Sequence, residues 1–159
     1  MLRLCFMAAP VMLVIGCSDA PVDMISAQEG LHVPILRETR GAYSPIARPL
    51  RTAIYSAGQA ALFPIELPEA DFTSEMILVA AMGPAPDPVC TIQIHSVRRR
   101  GNRLRAEIEQ RYPPARRRRR HGSASPYHAI VIPKTPLPIE GFSAELPFGA
   151  FDYERRIVR

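Results

Sequence analysis

A mainly β fold is what this sequence predicts: an antiparallel sheet of sandwich-like or partial-barrel-like form with one short helix. Three observations carry that expectation. Two continuous apolar runs, Met76 to Met82 and Pro126 to Pro133, have the length and flanking residues of strands buried on both faces. Between them, Cys90 to Val97 and Arg103 to Glu109 alternate apolar and polar residues with the period of half-buried strands. Proline, at 17 of 159 residues, is about double its usual ~5% share and works against long helices.

The chain opens with an address. Met1-Leu2-Arg3 supplies one positive charge, and Leu4 to Ile15 is an apolar stretch of secretory-signal length. Val14-Ile15-Gly16-Cys17 ends it, and Ser18-Asp19 turns abruptly polar. Small residues before a cleavage point suit the narrow groove of a signal peptidase, and a Cys directly after them has the form of a bacterial lipobox. Residues 1–16 are therefore expected to leave as a lipoprotein signal peptide, with Cys17 as the lipidation site carrying diacylglycerol and a further acyl chain such as palmitate. The alternative is an ordinary signal peptide with an incidental Cys. Several acyl chains hold a protein to a bilayer far beyond the marginal grip of one. The expected location is the bacterial cell envelope, at the periplasmic face, with the lipid bilayer itself as a partner through acylated Cys17. Ser18 stands where an Asp resembles an inner-membrane retention signal, which points to the outer membrane. Cys5 leaves with the signal peptide and Cys17 carries lipid, so Cys90 stands alone and no internal disulfide framework is expected.

Residues 17–47 carry Pro21, Pro34 and Pro45 without sustained periodicity. They read as an N-terminal tether with one candidate strand at His32 to Arg37. The β-rich domain is expected over 48–142. Arg51 to Tyr55 is a short strand, and Ser56 offers an N-cap for a helix over Ala57 to Phe63 that Pro64 stops. Leu67-Pro68-Glu69-Ala70 connects to the run at Met76. On the next strand Cys90, Ile92 and Ile94 share one face, with Thr91, Gln93 and His95 on the other. On the strand after it Leu104, Ala106 and Ile108 point inward, while Arg103, Arg105, Glu107 and Glu109 point outward. Residues 143–159 form a C-terminal extension, a candidate for an added edge strand.

The Gly101-Asn102 turn tests this reading. A two-residue loop pairs residues whose numbers sum to 203, which sets Ile94 opposite Glu109 and Leu104 opposite Arg99 and mixes core with solvent faces. A one-residue slip inverts every side chain. A three- or five-residue loop, or a bulge near Ser96, is therefore expected in place of a tight two-residue hairpin. Five loop residues set Ile94 against Ile108.

Charge singles out one segment. Nineteen of the 20 cations are Arg, and five of them are Arg116, Arg117, Arg118, Arg119 and Arg120; without that run 15 cations meet 15 anions. The rest of the protein is thus neutral overall, and no nucleic-acid partner is expected. Pro113-Pro114 and Gly122-Ser123-Ala124-Ser125 place the run in a loop between strands. It is either a solvated insertion or an anion-binding patch for lipid phosphates or an acidic partner. Catalytic and metal-binding patterns are absent: no GxSxG, Walker, HExxH or CxxC motif occurs. Cys90 and His95 lie five apart on one strand, hence on opposite faces, and His121 sits beside the Arg run; no metal and no cofactor is expected. Cys90 shares its face with Ile92 and Ile94 and reads as a small buried apolar residue. Glu107 and Glu109 invite comparison with a catalytic carboxylate pair, but Arg103 and Arg105 make a solvated charged face the better account. The expectation is a protein that is not an enzyme.

Taken in order, the segments form a known pattern. Ala70-Asp71-Phe72 leads into Met76-Ile77-Leu78-Val79-Ala80-Ala81-Met82-Gly83, followed by an alternating strand at Thr91 to Val97. Gly101-Asn102-Arg103-Leu104 precedes another strand that closes at Tyr112-Pro113-Pro114, and Ser125-Pro126-Tyr127-His128-Ala129-Ile130-Val131-Ile132-Pro133-Lys134 follows. This order resembles the PrcB-type C-terminal domain of bacterial lipoproteins, over about residues 50 to 142. The resemblance implies a non-catalytic accessory role, in which the founding type supports assembly or stability of a surface serine-protease complex. Where that family has a Gly-Gly-Tyr turn, this chain has Pro86-Asp87-Pro88-Val89-Cys90, and its Arg run enlarges the usual loop before Ser125. The function expected is thus a lipid-anchored extracytoplasmic binding or scaffold protein with a protease or envelope complex as partner. The alternative is an envelope protein that binds polyanions such as lipopolysaccharide phosphate through the Arg116–Arg120 loop.

Overall fold

The computed structural model describes residues 30–113 and 124–145, so Cys17 and the Arg116–Arg120 run lie outside the described residues. The fold is mainly β, with two four-stranded sheets and one short helix. In chain order the elements are β1 (His32–Val33), β2 (Arg37–Gly41), β3 (Leu50–Ile54), α1 (Ala57–Ala60), β4 (Glu75–Ala81), β5 (Thr91–Arg100), β6 (Arg103–Arg111), β7 (Tyr127–Pro133) and β8 (Ile139–Glu140). One sheet has the order β1-β5-β6-β8, the other β2-β7-β4-β3. Neighbouring strands run antiparallel except β6 and β8, which pair in parallel at Leu104↔Ile139 and Arg105↔Glu140.

The two continuous apolar runs became β4 and β7, the central strands of the second sheet, paired from Glu75↔Pro133 to Ala81↔Tyr127. Both faces of that pair are covered. Met76, Leu78, Ala80, Ile130 and Ile132 meet Cys90, Ile92, Ile94, Val97 and Leu104 of the first sheet. Ile77, Val79, Ala81, Ala129 and Val131 turn the other way, onto Ile46, Leu50, Ile54 and Phe63, with Ile65, Leu67, Ala70 and Phe72 of the connector packed behind. A strand clothed on both sides has no solvent face, so its sequence loses alternation. Each large aliphatic side chain so buried contributes roughly 1.5–3 kcal/mol.

The ordered strands begin within the stretch read as a tether. The strand expected over His32 to Arg37 is two strands split at Pro34, whose missing N–H cannot serve a ladder. His32 and Val33 pair with Arg98 and Val97 in the first sheet, whereas Arg37–Gly41 pairs with β7 in the second. Residues 42–46 are then pinned to the start of β7 by a buried hydroxyl pair. Ser44 Oγ donates to the Ser125 carbonyl at 2.8 Å, and Ser125 Oγ donates to the Ile46 carbonyl at 2.8 Å. At the other end, Ser143 N–H bonds Arg51 O and Ser143 O accepts from Ala53 N, both along the free edge of β3.

The helix is shorter than its expected span. Ser56 caps it, accepting from Gln59 N at 3.3 Å, and the Gln59 side chain returns to Tyr55 N at 2.7 Å. Beyond Ala60 the chain tightens into i→i−3 bonds, Leu62 N to Gln59 O and Phe63 N to Ala60 O. Pro64 disfavours the helical region for Phe63, which instead is buried against the outer face of the second sheet.

The β5–β6 hairpin resolves its register conflict by the bulge alone: the longer loop is not formed, and the tight two-residue turn that was expected to be replaced is kept. Thr91↔Arg111 through Ile94↔Ile108 sum to 202, and Ser96↔Glu107 through Arg100↔Arg103 sum to 203, with the shift between Ile94 and Ser96. The loop is therefore the two-residue Gly101-Asn102 turn, and a bulge at His95 absorbs the extra residue. Gly101 has φ +59°, whereas Asn102 does not have a positive φ, the pattern of a type II′ turn. The bulge reverses the parity of β5: Ile92 and Ile94 point to the core before it, and Val97 after it.

Candidate functional site

Two constellations of polar residues stand out, one buried between the sheets and one on the surface of the hairpin. The buried one centres on His128, fully enclosed on β7. Its even parity with Ile130 and Ile132 turns it toward the first sheet. There the bulge leaves the Ile94 N–H turned to it, and His128 Nδ1 accepts that N–H at 2.8 Å. An accepting Nδ1 puts the ring proton on Nε2, which donates to Glu38 Oε2 at 3.1 Å and so does not accept from Arg40 Nε, 3.3 Å away. Glu38 lies on the edge strand β2 and also takes a bond from Arg40 Nη2 at 2.7 Å. That bond, helped by the charges of Arg40 and His128, holds the Glu38 carboxyl below the usual carboxylate range despite some desolvation. Burial, reinforced by the nearby Arg40 charge, pushes His128 below the ordinary imidazole range, against the pull of Glu38. The ring is therefore neutral near pH 7. Both ring nitrogens are engaged, so neither is presented to a substrate. His128 acts as a polar rivet joining the bulge of one sheet to the edge strand of the other.

Cys90 is fully buried beside Ile92 and Ile94, its backbone N–H bonded to Asp87 O, and it is a free thiol. His95 points the opposite way into solvent, where Nε2 meets Glu109 Oε2 at 2.6 Å. The bonds from Arg111 and His95 lower Glu109 to about 2. Glu107 is lowered too, chiefly by the Ser96 hydroxyl, which donates to Oε2 at 2.7 Å. Both carboxylates are ionised near pH 7 and committed to neighbours, so neither is poised as a general acid. Among the described residues no group of three or more His, Cys, Asp or Glu side chains could hold a metal ion.

The surface constellation is the outward face of β5 and β6. In register along it lie Thr91 with Arg111, Gln93 with Glu109, Ser96 with Glu107, Arg98 with Arg105, and Arg100 with Arg103. Near the bulge the charges compensate: Arg111 Nε donates to Glu109 Oε1 at 2.6 Å, and Arg98 Nη2 lies 3.9 Å from Glu107 Oε2. Toward the turn they do not. Two Arg pairs stand directly opposite one another, and an open concavity there is lined by Gly30, Arg98, Arg99, Arg100, Arg105 and Glu107.

Of the residues singled out from sequence, Glu107, Glu109, Arg103 and Arg105 take the outward face expected for them. Arg98 and Arg100 were hidden. Unbroken alternation from Ile92 and Ile94 assigns them to the core, and only the bulge brings them beside Arg103 and Arg105. The available signal was the register conflict at Gly101-Asn102, which already called for a bulge near Ser96. No family model matches the chain, and neither a curated protein nor a solved structure matches it.

Proposed function

We propose that this chain is a lipid-anchored, non-catalytic binding domain of the bacterial envelope, acting as an accessory subunit of a larger protein assembly. The resemblance to the PrcB-type C-terminal domain supports an assembly with a protease. Its quoted segments fall on β4, β5, β6 and β7 in that order. The observation that carries a binding role is the exposed outer face of the β5–β6 hairpin, a ladder of five outward residue pairs rich in charge. Such a face suits recognition, because paired strands hold charges at fixed spacing without the cost of ordering a loop. The alternative, polyanion binding at the envelope through Arg116–Arg120, gains support from the further arginines at the hairpin end.

Purification of the lipidated full-length protein, with mass identification of what accompanies it, tests the reading. A protein partner should persist through moderate salt. Retention on an anionic resin should instead collapse with salt if polyanions are the ligand. Cys17→Ser should remove the lipid and release a soluble or unprocessed form, read by fractionation of membranes. A wild-type protein found wholly soluble and cleaved elsewhere would overturn the anchoring.

A further inference from the structure

We infer that the turn end of the β5–β6 hairpin is a phosphate-binding cradle, in which Arg98, Arg100, Arg103 and Arg105 grip a phosphoryl group on a lipid headgroup or a small soluble polyphosphate. The inference rests on the binding-domain reading and names its ligand chemistry.

The register is the first support. Arg98 faces Arg105 and Arg100 faces Arg103 across the ladder, where directly opposed side chains start about 5 Å apart and like charges destabilise. Among the described residues four guanidiniums have two carboxylates beside them: Glu107, whose charge is already shared with the Ser96 hydroxyl and Arg98, and Glu140, which stands next to Arg105 in the β6–β8 register. Arg100 and Arg103 form no ion pair among the described residues. Fixed repulsion of this kind is relieved by an anion placed between the pairs.

The shape of the site is the second support. β1 flanks the arginines: His32 pairs with Arg98, and Gly30 N–H bonds Arg99 O one step further on. Gly30 has φ +93°, which other residues rarely adopt, and nothing lies within 4 Å of where its Cβ would be. Among the described residues no side chain thus fills the flank at Gly30. Arg99, on the opposite parity, donates from Nε to Gly101 O at 3.0 Å across the turn that carries the cradle. The cations are all Arg, whose planar fork matches phosphate oxygens two at a time. A phosphoryl group with several terminal oxygens can accept from both pairs at once. A single carboxylate has only two oxygens to offer.

Thermal melts of the full-length protein with and without pyrophosphate test this. Pyrophosphate should raise the wild-type Tm by several degrees once it is well above its Kd. Arg100→Ala combined with Arg103→Ala should melt no lower than wild type in phosphate-free buffer, because an opposed like-charge pair is gone. The same variant should bind pyrophosphate about tenfold or more weakly, the scale of lost charge-assisted hydrogen bonds. Arg103→Lys should recover part of the binding.

The Cys17→Ser form, mixed with phosphatidylcholine vesicles with or without phosphatidic acid, separates the two sources. Binding that requires phosphatidic acid and is competed by pyrophosphate identifies a lipid headgroup, and a pyrophosphate shift without vesicle binding identifies a soluble ligand. An equal pyrophosphate shift in wild type and the double variant overturns the cradle. So does a shift lost only when Arg116–Arg120 is replaced by a Gly/Ser linker, or one produced by polyglutamate and not by pyrophosphate. A co-purifying partner with no phosphate response leaves the accessory reading standing without the cradle. A phosphate response with no partner does the reverse.

Discussion

Ile94→Asp and Val131→Asp should each leave the domain unfolded under conditions where the wild type melts cooperatively. Ile94 is buried between the sheets, and Val131 is buried on the opposite face of the second sheet. A carboxylate at either site is buried among aliphatic side chains, and Arg37, which stands opposite Val131, is already committed to Glu75 and the Glu69 carbonyl; burying the carboxylate costs more than ~4 kcal/mol. That is comparable with the lower end of the roughly 5–15 kcal/mol by which a typical domain is stable. The pair tests both layers independently, because each substitution strikes a different cluster. Glu107→Ala, on the exposed face, should leave the unfolding midpoint almost unchanged, since its partners Ser96 and Arg98 are solvated. Denaturant melts of the three variants check this. Similar midpoints for all three would show the face assignments to be wrong.

The second large effect is expected at His128. His128→Leu keeps the bulk but removes the acceptor for Ile94 N–H and the donor to Glu38. An orphaned buried N–H costs about 1–3 kcal/mol, and it falls here on Ile94, next to the bulge. The substitution should also change the pH response. His128 is lowered in the folded state, so the unfolded chain binds a proton more readily as pH drops below the ordinary value near 6.5. Its contribution is full above that pH and is lost as pH falls toward the folded value. Protonation also sets a donor at Nδ1 against the Ile94 N–H. Groups packed around the ring act in the same window or lower: Arg40 adds to the depression, His95 adds slightly, and Glu38 opposes it. Glu38 is itself lowered, so its contribution is present above about 4.5 and is lost below. Wild type should thus lose stability as pH falls below about 6.5, and His128→Leu should lose less there. Glu38→Gln should keep the upper step and reduce the loss below pH 4.5, to which Glu107 and Glu109 also contribute. A wild-type curve flat from pH 7 to 5 would count against a neutral, locked His128.

Strand identity was legible because it is written in local periodicity. Met76 to Met82 and Tyr127 to Pro133 could only be strands with no wet face, and the structure places them at the centre of a sheet clothed on both sides. Cys90, Ile92, Ile94 and Leu104 took the inward face that alternation gave them. The Ser56 cap was legible too, since an N-cap acts over three residues. Pro34 was visible but its consequence was not: a proline says that a ladder is interrupted, not that the halves join different sheets. Neither periodicity nor composition says that Glu38 and His128, 90 residues apart, will meet.

By itself the sequence determined which segments are strands and which side of each seeks the core, because side-chain hydrophobicity and backbone propensity act within a few residues. The tertiary structure alone decided where the parity of β5 reverses. Gly101-Asn102 imposes a tight turn with one register, and the packing of Ile94 on the second sheet imposes another. The bulge at His95 is the least costly way to satisfy both. That single inserted residue carries Arg98 and Arg100 out of the core face and into line with Arg105 and Arg103. It also leaves the Ile94 N–H for His128 to accept. Both the charged cradle and the buried rivet thus come from a conflict between turn and core, a long-range competition that no local stretch of sequence contains.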